Sequence, residues 1–307
     1  MSRKLALVGI GKIARDQHIP ALAANPDFKL VATTSRNASV AGVTAYTDLA
    51  SLLKSERNIE CVSLCTPPMA RYDDARRALL AGCHVMLEKP PGATLSEVHD
   101  LEALADQKNI TLFASWHSRH AAAVPAARDW LAEKTIVQVL IEWKEDVRYW
   151  HPGQDWIWQA GGLGVFDPSI NALSILTEIM PHAIHLTDAV LTFPENRETP
   201  VAAFLTFRGS HGSDITGVFN WLEQGPPKWD ITVKTNAGVA VLSEGGAKLA
   251  IDGVPVKTGP HEEYPSLYKR FSTLVHDGKS DVDLAPLTHV ADAFMMGKRE
   301  FTEAFEW

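Results

Sequence analysis

Short apolar runs alternate with amphipathic segments over the first part of the chain. In the amphipathic segments the apolar residues recur at intervals of three and four, which is the spacing of one helix face. This alternation is typical of a parallel sheet covered by helices, because each strand needs a crossover to return to the same edge. The predicted strands are residues 5–8, 29–33, 61–64, 84–87 and 111–115. The predicted helices are residues 14–24, 74–80, 97–105 and 121–131, and Thr94 or Ser96 is the expected cap of the third.

The pattern changes near residue 120, where longer runs of alternating apolar and polar residues begin. A period of two predicts strands that bury one face, as in antiparallel sheets. These strands are predicted at residues 136–143, 201–207, 215–221 and 231–235, with hairpin turns at 236–238 and 252–253. A chain of 307 residues exceeds what one core usually holds. We therefore expect two domains that share a cleft, an N-terminal Rossmann fold with a parallel sheet at residues 1–119 and an α+β domain with a large open, mostly antiparallel sheet at residues 120–307.

Composition narrows the classes of partner. The net charge is -8 and the Lys and Arg residues are scattered, so no surface for nucleic acid is predicted. The apolar run after Arg3 and Lys4 breaks at Gly9 and Gly11 without a signal-peptide cleavage site, so we expect a cytoplasmic protein with no membrane contact. The three cysteines cannot all pair and lack zinc-ligand spacing, so they are predicted to be buried thiols and no metal site is expected.

A glycine-rich turn follows the first predicted strand. Gly9 permits a tight turn, Gly11 lets the backbone approach a diphosphate, and Ala14 lets the next helix pack closely on the strand. The start of that helix then offers backbone N–H groups and the positive end of its dipole to the phosphates. Because this turn lies between a strand and a helix in a βαβ pattern, the sequence predicts a dinucleotide site.

The residues after the second predicted strand bear on the choice of dinucleotide. An NAD-specific site places an acidic residue there, on the ribose hydroxyls. This chain instead has Ser35, which can donate to a phosphate, and Arg36, which can pair with one. We therefore expect NADP to be preferred. A solvated loop arginine is the alternative explanation, and NAD also remains compatible with these residues.

Two further motifs follow predicted strands, Glu88-Lys89-Pro90 after residues 84–87 and Cys65-Thr66-Pro67-Pro68 after residues 61–64. Together with the opening glycines they resemble the glucose-fructose oxidoreductase, inositol dehydrogenase and rhizopine-catabolism (Gfo/Idh/MocA) family. The resemblance extends over nearly the whole chain, and it implies the two-domain fold stated above. It also implies cofactor contacts at the glycine turn and after the strands, at Lys12, Ile13, Thr66, Pro67, Glu88 and Lys89.

The family resemblance extends to the reacting centre. Its lysine corresponds to Lys89, which is expected to reach the substrate and to bond the reacting oxygen. Its second signature, a glycine turn followed by Asp and His on one helix, matches Gly161 to Gly164 followed by Asp167 and Asn171. Asn171 stands where the family has histidine, and asparagine exchanges no proton at neutral pH. Asp167 is therefore assigned as the general base and Asn171 as a donor, although Lys89 stays an alternative acceptor and a helix N-cap is the alternative role for Asp167.

Asparagine at this position resembles the branch of the family that oxidises aldoses at C1 to aldonolactones. Tryptophan faces can cover the C–H face of a pyranose while carboxylates and imidazoles bond its hydroxyls. The resemblance and the composition of residues 143–158 together give the predicted sugar contacts, alongside Asp167 and Asn171, as His117, Glu145, Trp150, His151 and Trp229. Tryptophans in the core are the alternative explanation for the indoles, and His117, with Arg119 and His120, could equally contact the cofactor or the domain interface. L-Arabinose and D-galactose differ only by a C5 substituent, so the sequence leaves the choice between them open.

Two other functions stay open. The family includes non-catalytic co-regulators that bind NADP, so a sugar sensor is one alternative, and a dehydrogenase of another cyclic polyol or a dihydrodiol is the other. The joint presence of Lys89, Asp167 and Asn171 favours the enzyme. An exposed sheet face in the second domain also predicts a homo-oligomer, a dimer or tetramer.

Overall fold

Six parallel strands form the first sheet, in the order β3-β2-β1-β4-β5-β6, in the computed structural model, which describes residues 2–307. This order reverses direction on either side of β1, as in doubly wound dinucleotide-binding folds. The predicted Rossmann fold is therefore confirmed. The strands are β1 (Arg3–Val8), β2 (Phe28–Thr34), β3 (Thr44–Tyr46), β4 (Cys61–Leu64), β5 (His84–Leu87) and β6 (Leu112–Ala114).

Four α-helices connect these strands, and a short π-helix (Ala14–His18) leads directly into the first of them. Thr94 is the cap of the fourth helix, because its hydroxyl accepts from the N–H of Glu97 at 3.3 Å. Two elements at the sheet edge, β3 and the second helix, were not predicted. β3 has only three residues and is mostly exposed, so it carries no readable period. The helices are α1 (Ile19–Ala23), α2 (Leu49–Ser55), α3 (Tyr72–Leu80) and α4 (Leu95–Lys108).

The second sheet has nine strands in the order β14-β13-β12-β11-β7-β10-β9-β8-β15. Two neighbouring pairs, β7 with β10 and β8 with β15, are parallel, and the others are antiparallel. The predicted large, mostly antiparallel sheet is confirmed. Its strands are β7 (Ile136–Lys144), β8 (Ile184–Pro194), β9 (Ala202–Gly209), β10 (Asp214–Asn220), β11 (Lys228–Thr235), β12 (Gly238–Ser243), β13 (Lys248–Ile251), β14 (Val254–Val256) and β15 (Lys298–Thr302).

One face of this sheet is buried because its strands alternate. In β7 the side chains of Val139, Ile141 and Trp143 are buried while the residues between them are more exposed. Helices of the same unit cover that face, and one of them, α7, packs against β7 and β11. The helices that follow β6 along the chain are α5 (Val124–Leu131), α6 (Val147–Trp150), α7 (Phe166–Ile179), α8 (Glu263–Asp277) and α9 (Ala285–Met296).

The chain separates into two units, and one segment differs from the predicted boundaries. The first unit runs to His117 and includes Glu262–Leu284, and the second comprises Ser118–His261 and Ala285–Trp307. The segment Glu262–Leu284 lies in the first unit because the apolar face of α8 packs on the first sheet, where Leu267 and Phe271 share a buried cluster with Leu5, Phe28 and Met86. No helix was predicted at residues 263–277, and an amphipathic pattern alone would not identify the surface that such a helix covers.

The cysteines follow the prediction in part. Cys61 and Cys83 are buried free thiols, and burial raises their pKa values to about 12 and about 11. Cys65 is only half-buried at the end of β4. Within residues 2–307 no three His, Cys, Asp or Glu side chains converge as metal ligands would.

Candidate functional site

The glycine turn after β1 holds the backbone close to the end of β4. Gly9 has a φ of +87°, and a Cβ there would lie 2.9 Å from the backbone nitrogen of Thr66. Only glycine combines this φ with this contact at no cost. Gly11 is exposed, and a Cβ there would meet nothing within 4 Å, whereas Ala14 is fully buried where the helix begins. Open space therefore remains beside the start of the helix, as a phosphate site needs.

The predicted cofactor residues lie at one edge of the first sheet. All its strands are parallel, so the residues that directly follow neighbouring strands meet at their carboxyl ends, which is where ligands bind in such folds. Lys12 and Ile13 follow the glycine turn, and Lys12 forms an exposed ion pair with Asp16. The other predicted residues follow β2, β4 and β5, respectively Ser35 and Arg36, Thr66 and Pro67, and Glu88 and Lys89.

The side chains at this edge fit a dinucleotide. The hydroxyl oxygen of Thr66 is buried and has no hydrogen-bond partner among the residues that the structure describes, so it is left to bond a ligand. Arg36 is exposed, and the Ser35 hydroxyl accepts only a long bond of 3.4 Å from the N–H of Asn37. No acidic side chain occurs among residues 33–37 to repel a 2′-phosphate.

Behind this edge lies a buried polar group that the sequence did not predict, the Glu88 cluster, formed by His18, Glu88, Tyr264 and Tyr268. His18 lies between two of its members, with Nε2 3.0 Å from Glu88 Oε1 and Nδ1 2.8 Å from the Tyr268 hydroxyl. The Tyr264 hydroxyl donates to the same Glu88 oxygen at 2.7 Å. The other carboxylate oxygen accepts from the backbone N–H of Lys89 at 2.8 Å. Glu88 therefore fixes the start of the Glu88-Lys89-Pro90 segment.

The Glu88 cluster is charged although it is buried. Burial alone would raise the pKa of Glu88, but the hydrogen bond and positive charge of His18, the charge of His117 and the Tyr264 hydroxyl lower it to about 2. Burial also opposes the charge of His18, yet interactions with Cys65 and Tyr268, together with the hydrogen bond to Glu88, hold its pKa well above the usual value. A carboxylate and an imidazolium therefore form an ion pair inside the first unit.

Arg71 was also missed by the sequence analysis. Its buried guanidinium donates to the carbonyl oxygens of Thr66, Glu88 and Pro90, so that one side chain ties the ends of β4 and β5 together. The bond between Lys89 and Pro90 is cis. Nothing in the sequence around Arg71 distinguishes it from a surface arginine, whereas His18 could have been found from its position one helical turn after the buried Ala14.

His117, a predicted sugar contact, lies just after β6. Its Nδ1 is 2.8 Å from Glu263 Oε2, and its ring stacks on Tyr264 with centroids 5.4 Å apart. The imidazole is half-buried. Helix α8 thus supplies partners to His117 as well as to the Glu88 cluster.

In the second unit, Asp167 and Asn171 lie one turn apart on α7, as predicted. A glycine turn lets the chain enter this helix closely, since a Cβ on Gly162 would lie 2.4 Å from the carbonyl oxygen of Ile157. The residue at the N-cap is Val165, so the alternative role of Asp167 as N-cap is wrong. Asp167 occupies the first turn and is 6% exposed, while Asn171 is half-buried.

Glu145 follows β7 and is buried beneath a group of aromatic rings. Its two carboxylate oxygens accept from two indoles, Oε1 from Trp221 at 3.2 Å and Oε2 from Trp229 at 2.8 Å. The Trp229 ring lies 5.2 Å from that of Trp150 and 6.1 Å from that of Trp143, measured between centroids. The structure thus brings three predicted sugar contacts together, Glu145, Trp150 and Trp229. Trp221 was not predicted as their partner.

The same group continues to Asp167 through His151. His151 Nε2 lies 3.4 Å from Asp167 Oδ2, and its ring packs edge-on against Trp221 with centroids 5.3 Å apart. The second unit therefore contains an acceptor carboxylate, an imidazole and indole faces in one connected set.

No helix formed by residues 2–307 has both the length and the apolar character required to cross a membrane.

Comparison with known proteins identifies several relatives. A sequence profile of the Gfo/Idh/MocA oxidoreductase family, described as having an NAD-binding Rossmann fold, matches residues 3–115. A galactose 1-dehydrogenase from Pseudomonas fluorescens is 42% identical over 302 residues, which is 98% of each chain.

Comparison with solved structures also identifies similar oxidoreductases. The crystal structure of a D-galactose-1-dehydrogenase from Rhizobium etli is 60% identical, with a TM-score of 0.96 over 100% of this chain and 99% of that one. A 3-ketoreductase from Actinomadura kijaniata, solved with NADP and TDP-benzene, has a TM-score of 0.86 over 98% of this chain and 100% of its own. At 18% identity, this second likeness concerns the fold.

Proposed function

Because this chain belongs to the Gfo/Idh/MocA oxidoreductase family, we propose that it oxidises an aldopyranose at C1 to the aldonolactone, with NADP or NAD as the hydride acceptor. The observation that carries this proposal is the 60% identity to a D-galactose-1-dehydrogenase over the full chain. A likeness of this extent includes both the glycine turn of the first unit and the Asp167 helix of the second. D-Galactose is the proposed preferred sugar, with L-arabinose as the alternative because it has the same ring configuration from C2 to C4.

The first unit would hold the cofactor. The proposed contacts are the turn at Gly9 and Gly11 with Lys12 and Ile13 for the diphosphate, and Thr66, Pro67 and Glu88 along the sheet edge. When bound, the nicotinamide supplies the acceptor for the hydride that leaves C1. Ser35 and Arg36 would bind a 2′-phosphate, which makes NADP the proposed preference.

The second unit would move the proton. Asp167 accepts the proton of the O1 hydroxyl, since an ionised carboxylate only accepts hydrogen bonds, and the Asn171 amide donates to the same oxygen. Lys89 as an ammonium has three donors and no acceptor, so we assign it to orienting the reacting oxygen rather than to taking the proton. Trp150 and Trp229 would cover the C–H face of the ring, and the remaining proposed hydroxyl contacts are His117, Glu145 and His151.

The reaction is tested by following NADPH formation with D-galactose, L-arabinose and a panel of other aldoses. We expect turnover with D-galactose first. Lys89→Ala should lower kcat by about 100-fold or more, because it removes a donor to the reacting oxygen. Turnover by none of the aldoses, with NADP still bound, would contradict the dehydrogenase and support a sugar sensor. Undiminished turnover by Lys89→Ala would refute the role of the lysine alone.

The cofactor preference is tested at Arg36. Arg36→Ala should raise the KM for NADP by about tenfold and leave that for NAD nearly unchanged, because only NADP carries the 2′-phosphate. Equal effects on the two cofactors would show that the arginine acts on something other than the 2′-phosphate.

We further propose that the chain forms a homo-oligomer through the second sheet. Its uncovered face carries exposed apolar side chains on strands either side of β10, namely Leu140 and Phe204, which are 37% and 44% exposed. Apolar faces of this kind favour self-association. Light scattering after size exclusion gives the mass of the assembly, and Phe204→Lys should lower it. A monomeric wild-type protein would contradict the proposal.

A further inference from the structure

The 303–307 segment follows β15 and packs against the sugar segment, defined as residues 147–158 because it carries the proposed sugar contacts Trp150 and His151. Both segments belong to the second unit. No role was predicted for the 303–307 segment from the sequence. Its meaning for sugar binding rests on the function proposed above.

The sugar segment cannot hold its conformation alone. It contains α6, of four residues, and a 3-10 helix of four residues, Asp155–Trp158. Helices this short are unstable in water without packing, because forming the first turn fixes several residues for one hydrogen bond. The positions of Trp150 and His151 therefore depend on contacts between the sugar segment and the rest of the second unit.

Phe305 is fixed in place by the loop that joins β8 to β9. Its backbone N–H donates to Asn196 Oδ1 at 2.8 Å, and its carbonyl oxygen accepts from Asn196 Nδ2 at 3.0 Å and from the Arg197 guanidinium at 3.1 Å. Phe305 is only 3% exposed, and the guanidiniums of Arg148 and Arg197 lie 4.7 and 5.5 Å from its ring centroid. The ring is therefore a fixed surface against which other side chains can pack.

Polar contacts join the 303–307 segment to the sugar segment. The Arg148 guanidinium donates to the carbonyl oxygen of Glu306 through Nη2 at 2.9 Å and through Nε at 3.2 Å. The indole N–H of Trp307 donates to Asp155 Oδ1 at 2.8 Å. Because Arg148 lies on α6 and Asp155 begins the 3-10 helix, these bonds hold both short helices of the sugar segment.

Aromatic packing connects Phe305 to His151. The Trp158 ring lies 4.8 Å from that of Phe305 and 5.2 Å from that of Trp221, measured between centroids. The Trp221 ring in turn lies 5.3 Å from that of His151. These distances are in the usual range for paired aromatic rings. A change at Phe305 can therefore reach His151 through two buried indoles.

We infer that Phe305 and Trp307 are positioning residues for sugar binding, because they hold the sugar segment in the conformation that presents Trp150 and His151 to the sugar. Neither residue has to touch the sugar. The sugar segment is then ordered when the protein folds, so sugar binding does not bear the entropy cost of ordering it. Asp167 lies on α7, outside the sugar segment, so proton transfer depends less on this contact.

Steady-state kinetics of Phe305→Ala and Trp307→Ala test the inference. With D-galactose and NADP, we expect each variant to raise the KM for the sugar by about tenfold, because the sugar must then order the segment. The kcat should stay within about twofold of the wild-type value, and the KM for NADP should stay constant because these residues lie outside the first unit. Trp307→Phe keeps a ring and loses the bond to Asp155, so its KM should fall between those of wild type and Trp307→Ala.

A control and a second measurement separate positioning from a general loss of structure. Phe301, on β15, is 70% exposed, and Phe301→Ala should leave all constants unchanged. Trp307 is 43% exposed, so Trp307→Ala tests the inference even where the loss of Phe305 prevents folding. Hydrogen exchange needs no sugar: the backbone N–H of His151, which donates to the carbonyl of Val147 at 2.8 Å, should exchange faster in Trp307→Ala.

Other outcomes overturn the inference. An unchanged KM for the sugar in Trp307→Ala would show that the contact does not serve sugar binding, and equal rises in the KM for sugar and for NADP would indicate a general loss of structure. Unchanged exchange at His151 would refute the positioning role. Absence of turnover by the wild-type protein with every aldose contradicts the proposed function, and the exchange measurement then still decides whether the 303–307 segment holds the sugar segment.

Discussion

His18→Gln removes the positive charge from the Glu88 cluster while it keeps a side chain that can donate to Glu88. We expect this single change to lower the free energy of unfolding of the first unit by several kcal/mol. The reason is that Glu88, which is 5% exposed, would keep a carboxylate without a cation beside it. Most core substitutions of similar size cost less than that.

The magnitude follows from the acidity of Glu88. Its pKa is about 2 against an ordinary value of 4.5. One pKa unit corresponds to about 1.4 kcal/mol, so the groups around the carboxylate stabilise the folded state by on the order of 3 kcal/mol at neutral pH. Loss of one partner from a buried ion pair costs about 3–5 kcal/mol in general, which agrees with this value.

The same pair gives stability a pH dependence of known sign. The lowered pKa of Glu88 contributes stability above about pH 4.5, and this is lost as the pH falls toward 2. The raised pKa of His18 contributes stability that is complete below 6.5 and is lost as the pH rises through the folded-state value. The ion pair should therefore contribute most to the free energy of unfolding between about pH 4.5 and 6.5. In His18→Gln the free energy of unfolding should depend less on pH on both sides of this range.

Urea unfolding followed by circular dichroism measures both effects. His99→Gln is the matched control, because His99 also lies 3.3 Å from a glutamate, Glu102, but on the surface, where such pairs contribute little. Tyr268→Phe should fall between the two, since it removes one bond of His18 and leaves the ion pair. A loss in His18→Gln no larger than that in His99→Gln, or an unchanged acid limb, would refute the charged state of the cluster.

Two further predictions concern the sites themselves. Glu145→Gln places an amide N–H against one of two indole N–H donors, so the KM for sugar should rise by about tenfold in steady-state kinetics while the KM for NADP stays constant. An equal rise for NADP would contradict this. Gly9→Ala should weaken NADP binding by about tenfold or more in a fluorescence titration, because the new Cβ meets the nitrogen of Thr66 at 2.9 Å. Gly42→Ala, with a φ of +74° and no atom within 4 Å, should leave binding intact.

The elements that the sequence predicted well are those with a strong period or a specific turn. The buried strand Cys61–Leu64 and the helix Leu95–Lys108 agree with their predicted positions to within a few residues, since apolar runs and caps depend on local chemistry. The hairpins predicted at 236–238 and 252–253 are present: residues 236–237 join β11 to β12, with Gly238 as the first residue of β12, and residues 252–253 join β13 to β14. Helix α8 was not predicted, and its unit could not have been assigned from the sequence either, because the surface that it covers consists of residues far away in sequence.

The residues of the candidate site likewise comprise some that the sequence predicted and some that it could not. Gly9, Thr66 and Lys89 were predicted from motifs that follow strands, and they lie at one sheet edge because parallel strands end together. The bonds of Glu145 to Trp221 and Trp229 could not be predicted, because they depend on β7 lying between β10 and β11. His18 and Tyr268 are 250 positions apart, and no local pattern relates them.

The return of α8 to the first unit has a consequence for biosynthesis. A ribosome releases the chain from its N-terminus, so the strands and helices up to His117 emerge long before Tyr264 and Tyr268 are made. Until then, His18 and Glu88 lack two of their hydroxyl partners, and the face of the sheet around Leu5 and Phe28 lacks the aromatic side chains that cover it. The first unit can therefore complete its core only after most of the chain has been synthesised. A gene fragment that stops near residue 119 would encode the first sheet without the helix that covers this face.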